Sequence, residues 1–136
     1  MIGLARRRLS AMAVGLLFVG TGCQRPVETA RVAGTDPSAK LELDLDALDA
    51  NGLAGPPDGK VAVSYEFRIP DTPDNRAAVR AIDPGIEIMA GPRGRVDAGP
   101  GFALCIGSTH QPRHREILLA LAELPCVERI IRCDFE

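Results

Sequence analysis

From Val61 to Ile69 the chain alternates without a break. Val61, Val63, Tyr65, Phe67 and Ile69 lie on one side; Ala62, Ser64, Glu66 and Arg68 lie on the other. A period of two over this length is a strand with one apolar face, and Pro70 stops it. Thr72 then offers an N-cap oxygen, and Pro73 fits the first helical position, where a missing N–H costs nothing. Asn75, Ala78, Val79 and Ile82 follow at helical spacing until Asp83-Pro84-Gly85 ends the run. A strand feeding a helix through a tight turn must bury its apolar face against that helix, which makes the chain a mixed α and β protein.

The rest of the C-terminal half extends the pattern. Ile86 and Ile88 make a short strand, Gly91 to Gly101 a Gly-Pro-rich loop, and Phe102, Leu104 and Ile106 a third strand. Gln111-Pro112 opens a second helix with Ile117, Ala120, Leu121 and Leu124 on one face, and Val127 to Phe135 forms a last strand. The order β-α-β-β-α-β over residues 59–136 resembles the ferredoxin-like fold. That resemblance implies an α+β sandwich with a four-stranded antiparallel sheet, strand order 4-1-3-2, and both helices on one face. The other face is expected to be open, presenting Ser64, Glu66, Arg68, Ala103 and Cys105 as a flat surface of small residues flanked by charge, a candidate interaction face.

Composition narrows what such a surface can bind. Aromatic residues are 4% of the 136, with no Trp, and none falls on the expected open face, which argues against base stacking. The net charge is −2, and the body is more acidic than that, because Arg6, Arg7 and Arg8 precede it without a compensating acid. No electrostatic footprint for nucleic acid results. Copper-carrying modules of this shape need a Cys-x-x-Cys pair after the first strand, where this chain has Pro70-Asp71-Thr72. Phosphate cradles there need glycine amides, which Pro70 and Pro73 preclude.

Reactive residue types cluster in Cys105-Ile106-Gly107-Ser108-Thr109-His110-Gln111-Pro112-Arg113-His114. His110 and His114 have the i, i+4 spacing of a chelating pair on a helix, but Pro112 between them puts His110 before the helix. With His110, Arg113 and His114 read as a solvated polar cluster, no metal and no cofactor is expected. Arg93, Arg95, Arg113 and Arg115 are read as a solubilising surface paired with nearby acids rather than an anion site. Cys105, Cys126 and Cys133 fall on or beside strands too far apart to bridge, and are expected to be small buried hydrophobes.

The N-terminus carries an address. Arg6-Arg7-Arg8 precedes the apolar run Ala11 to Gly20, ten residues and short of the ~20 that span a bilayer, so residues 1–22 read as a signal peptide. The run ends Thr21-Gly22-Cys23-Gln24, which resembles the bacterial lipoprotein signal. The resemblance implies lipid on Cys23, anchorage in a membrane of the cell envelope, and exposure to the periplasm or exterior. Residues 23–58 are expected to be a flexible tether rich in Pro, Gly and Ser. Within it, Leu41 to Asp46 alternates like a strand. Asp49, Asn51, Gly52 and Asp58 have partial calcium-loop spacing, but Ala47 at the first position has no oxygen to donate, so an acidic turn is expected.

The leading expectation is a non-enzymatic envelope lipoprotein whose small module binds a protein partner or a second copy of itself. A different class is implied by Leu124-Pro125-Cys126-Val127, which resembles the end of subtilisin-propeptide inhibitor domains, where a helix ending in Leu-Pro-x-Val meets the last strand. An enzyme using a thiol or metal at Cys105 and His110 is the third reading.

Overall fold

The computed structural model describes residues 36–134. The signal segment, Cys23 and the start of the expected tether lie outside the described residues. A five-stranded mixed sheet is built from β1 (Leu41–Glu42), β7 (Ile130–Cys133), β4 (Ser64–Pro70), β6 (Phe102–Ser108) and β5 (Glu87–Ala90), in that spatial order. β2 (Leu53–Ala54) and β3 (Val61–Ala62) form a separate antiparallel pair. Helices α1 (Pro73–Ile82) and α2 (His114–Glu123) and two short 3-10 turns, Pro37–Lys40 and Leu45–Ala47, complete the described residues. β1 runs parallel to β7, and every other pairing in the main sheet is antiparallel.

The local signals behave as their chemistry requires. Thr72 Oγ1 accepts from the Asn75 N–H at 3.2 Å, Pro73 occupies the first turn, and Asn75 Nδ2 donates to the Pro70 carbonyl. α2 begins two residues later than Pro112 suggests. Arg113 sits left-handed at φ 60° with no side-chain cap, and the Gln111 N–H turns back to the Thr109 carbonyl. The helices share one sheet face, where Val79, Leu118, Leu121 and Ala122 pack on Tyr65, Phe67, Ile69, Ala103, Cys105 and Ile130. On burial of this kind at about 25 cal/mol per Å² the fold rests, with the helices contributing little stability of their own.

Three expectations are corrected. The tether does not extend to residue 58. Leu41 pairs with Ile130, Leu41, Leu43 and Leu45 pack on the core, and Lys40 Nζ donates to the carbonyls of Val127 at 2.8 Å and Leu124 at 3.3 Å. The antiparallel four-strand sheet therefore gains a parallel edge strand from this segment. Second, Val61 is outside the core, 58% exposed. Thr109 causes this by clamping Val63: its Oγ1 accepts the Val63 N–H and donates to the Gly52 carbonyl, and its own N–H donates to the Val63 carbonyl. The residues before Val63 leave the main sheet and pair with β2.

The third correction concerns which way β6 faces. Phe67 is directly opposite Cys105, Ile69 opposite Ala103 and Tyr65 opposite Gly107. Directly opposed residues share a face, so Ala103 and Cys105 point into the helix-side core, both fully buried. Gly107 is required there, because a Cβ would come within 2.4 Å of the Tyr65 ring. Phe102, Leu104 and Ile106 take the second face instead.

Candidate functional site

The second sheet face is half covered by its own loop. Val96 and Ala98, both buried, pack on Leu104, with Met89, Phe102, Ile106 and Ile131 around them. Glu66, only 2% exposed, directs its carboxylate at this loop, and Oε1 accepts the backbone N–H groups of Arg95 and Val96. Two amide donors satisfy a buried charge that would otherwise be strongly unfavourable. Gly94 makes the approach possible: its φ is +60°, and a Cβ would meet Leu104 at 2.6 Å and Glu66 Oε1 at 3.1 Å. Arg95 then reaches across to Cys133 Sγ at 3.2 Å and the Asp134 carbonyl at 2.6 Å.

The expected interaction face is thus redistributed. Ala103 and Cys105 are in the helix-side core, and Glu66 is beneath the loop. Arg68 is half-buried, stacked 4.6 Å above the Phe102 ring, donating to the Asp97 carbonyl and to Glu128 Oε2 at 2.9 Å. Ser64, also half-buried, is the one of the five that lines a shallow groove of about 430 Å³, with Glu87, Met89, Ile106 and Ser108, between the loop-covered part of the face and the β5 edge. Among the described residues β5 pairs with β6 alone, which makes its other side an edge of the described sheet.

The polar cluster at the start of α2 does not converge. His110 is exposed, with Nδ1 3.2 Å from the Asn51 carbonyl oxygen, and shares a shallow cleft with Ala50, Gln111 and Pro112. His114 is 8% exposed, and its Nδ1 has no hydrogen-bond partner. Arg113 pairs with Glu116 and Arg115 with Asp46, while Arg93 lies near Asp97, so the four arginines weighed as an anion site are engaged separately. Among the described residues no group of three or more His, Cys, Asp or Glu could hold a metal ion. The partial calcium loop is an acidic turn: Asp49 accepts from the Asn51 and Leu53 N–H groups and from Lys60 Nζ at 2.8 Å. The Lys60 hydrogen bond foremost holds its carboxyl down at about 2.

Buried titratable groups serve packing. Tyr65 donates to Asp83 Oδ2 at 2.8 Å, where Gln111 Nε2 also donates at 3.2 Å, and the Gly85 N–H donates to Oδ1. Burial, then the Asp83 carboxylate, pushes the Tyr65 hydroxyl well above its ordinary range. Sequence patterning does not reveal this network, because Asp83-Pro84-Gly85 signals only the end of a helix. Burial pushes the Cys105 thiol up to about 12, and the thiols of Cys126 and Cys133 are raised by burial as well. Cys105 is sealed under the helices while His110 is on the surface beyond the end of β6, so the two are not brought together. All three described cysteines are unbridged.

No helix among the described residues is long and apolar enough to cross a membrane. Comparison with protein-family models, with curated proteins and with solved structures returned no match to this chain.

Proposed function

We propose that this chain is an exported lipoprotein of the bacterial cell envelope, anchored through Cys23. Its α+β domain, a ferredoxin-like core with an added parallel edge strand, is then a non-enzymatic module that binds a protein partner at the β5 edge and the adjoining groove. Support for export is the Arg6-Arg7-Arg8 run, the short apolar stretch and Gly22-Cys23. Gln24 after the cysteine favours onward transfer to an outer membrane.

One observation carries the binding reading. The buried acids Glu66 and Asp83 are both consumed by internal hydrogen bonds, and the most basic-chemistry-rich segment leaves Cys105 and His110 apart. Among the described residues, the thiol of Cys105 therefore has no histidine base in reach. The β5 edge and its groove, in contrast, offer backbone groups and the half-buried apolar side chains of Met89 and Ile106, the ingredients of strand addition.

A photo-cross-linking residue at Met89, in the full chain expressed in bacteria, tests this against the same residue at exposed Glu123. Adducts from position 89 alone are expected, in the membrane fraction, with Cys23→Ser abolishing lipid labelling. No adduct from position 89 overturns the binding reading, and a Cys23→Ser protein that still takes up labelled lipid overturns the anchor. Capture of a subtilisin-type peptidase would replace the general binding reading with the inhibitor one.

A further inference from the structure

We infer that the occupant of the β5 edge is β5 of a second copy of this chain, which joins two sheets into one. The inference rests on the binding reading above and names its partner.

β5 is short and bounded, with Pro84-Gly85 before it and Gly91-Pro92 after it. Gly91 has φ +109°, which ends the extended run. A strand so limited can pair with one more strand of the same length without nucleating an open-ended stack. The charges at its two ends are opposite. Glu87 is exposed at the start and has no ion-pair partner among the described residues. Arg93 lies just past the end, with its side chain 70% exposed and a loose 3.4 Å contact to equally exposed Asp97.

Two copies related by a two-fold axis perpendicular to the sheet run antiparallel and keep their helices on the same side. In the register that sets Met89 opposite Met89 of the second copy, Ile88 opposes Ala90 and Glu87 opposes Gly91. The Arg93 side chain then stands just beyond Glu87 of the other copy, and this happens twice by symmetry. Glu87 and Met89 share the second face with Ile106 and the loop that carries Arg93. The two grooves would become continuous across the junction, with the Met89 pair covering each other. Parallel pairing would place Glu87 beside Glu87, which charge repulsion disfavours.

The test uses the full chain in bacterial membranes, a Met89→Cys variant and mild oxidation, read as a reducible dimer on a denaturing gel. Opposed positions have Cβ atoms close enough to bridge, so Met89→Cys should give a dimer band and Glu123→Cys none. Adding Glu87→Arg or Arg93→Glu alone should cut the dimer yield at least about threefold, since two exposed pairs turn repulsive. Both together should restore it. Glu87, Arg93 and Glu123 are exposed and Met89 is half-buried at the rim, and circular dichroism of each variant checks that it folds.

Dimer yield from Met89→Cys no greater than from Glu123→Cys overturns the inference, as does failure of the double reversal to recover what the singles lose. The photo-cross-linker at Met89 separates this from the wider reading. An adduct with a different protein and no dimer leaves binding intact and removes self-pairing; no adduct of either kind removes both.

Discussion

The backbone N–H of Val96 donates to Glu66 Oε1 at 3.0 Å, and that bond fastens a long Gly-Pro loop across the sheet face opposite the helices. Val96 is 2% exposed and Glu66 likewise, so a charge and an apolar side chain are buried together at the same contact. The loop therefore acts as a partial second layer, and it decides which part of that face is left for a partner.

Loss of this clasp has a measurable cost. Glu66→Ala leaves the buried Val96 amide and the part-buried Arg95 amide without an acceptor and is expected to destabilise the protein by about 1 to 3 kcal/mol. Amide exchange at residues 94–98 should accelerate more than exchange in β4 or β6, and Glu66→Gln should do less of both. Uniform acceleration across the sheet would mean that the loop is held by something other than Glu66.

Alkaline pH should weaken the fold through Tyr65 and Cys105. Burial raises the Cys105 thiol from an ordinary 9.0 to about 12, and Tyr65 is raised as well from an ordinary 10.0. A group whose folded pKa is raised adds stability that is fully present below its unfolded value and lost as pH climbs toward the folded one. Stability by denaturant titration should thus be flat from about pH 6 to 8 and fall from pH 9 upward. Cys105→Ala should lower stability at neutral pH yet make the fall between pH 9 and 12 shallower. An equally steep fall in that variant would exclude the buried thiol as a cause.

The segment before residue 59 belongs to the domain. Deleting residues 36–58 removes β1, Lys40 and the leucines that cover the core beside β7, and should abolish cooperative unfolding. Leu41→Ala alone should cost about 1 to 3 kcal/mol, whereas Val61→Ala, on the surface, should stay within about 0.5 kcal/mol. A cooperative transition in the deletion protein would restore the tether boundary at residue 58.

Much of this architecture is legible from local chemistry. Thr72 and Pro73 mark α1, Gly91 to Gly101 is the loop, and the order of the four strands from β4 onward follows from chain order and crossovers. Two features are not. The alternation of Leu41 to Asp46 is strand-like, but only Leu41–Glu42 forms β1, and its partner Ile130 is at the far end of the chain, so nothing local reveals the pairing. The facing of β6 is hidden for a different reason: both faces of the sheet are buried. Large Phe102, Leu104 and Ile106 fill the side under the loop, while small Ala103, Cys105 and Gly107 leave room for Tyr65, Phe67 and Ile69 under the helices. Alternation in size fixes the register of such a strand without telling which face is the helix-bearing one. The candidate interaction face inherited that inversion.

Arginine substitution at Ala103 and at Met89 tests the central claim, that the partner surface is the β5 edge with its groove and not the centre of the sheet. Ala103 is fully buried in the helix-side core, whereas Met89 is half-buried at the rim, where an arginine stem can keep its packing and place its charge in water. Thermal unfolding should show no cooperative transition for Ala103→Arg. Met89→Arg should unfold cooperatively, within about 1 kcal/mol of the parent, and lose cross-linking from a photo-reactive group at neighbouring Glu87. A folded Ala103→Arg protein that has lost its partner, or a Met89→Arg protein that cross-links as strongly as the parent, would contradict the account.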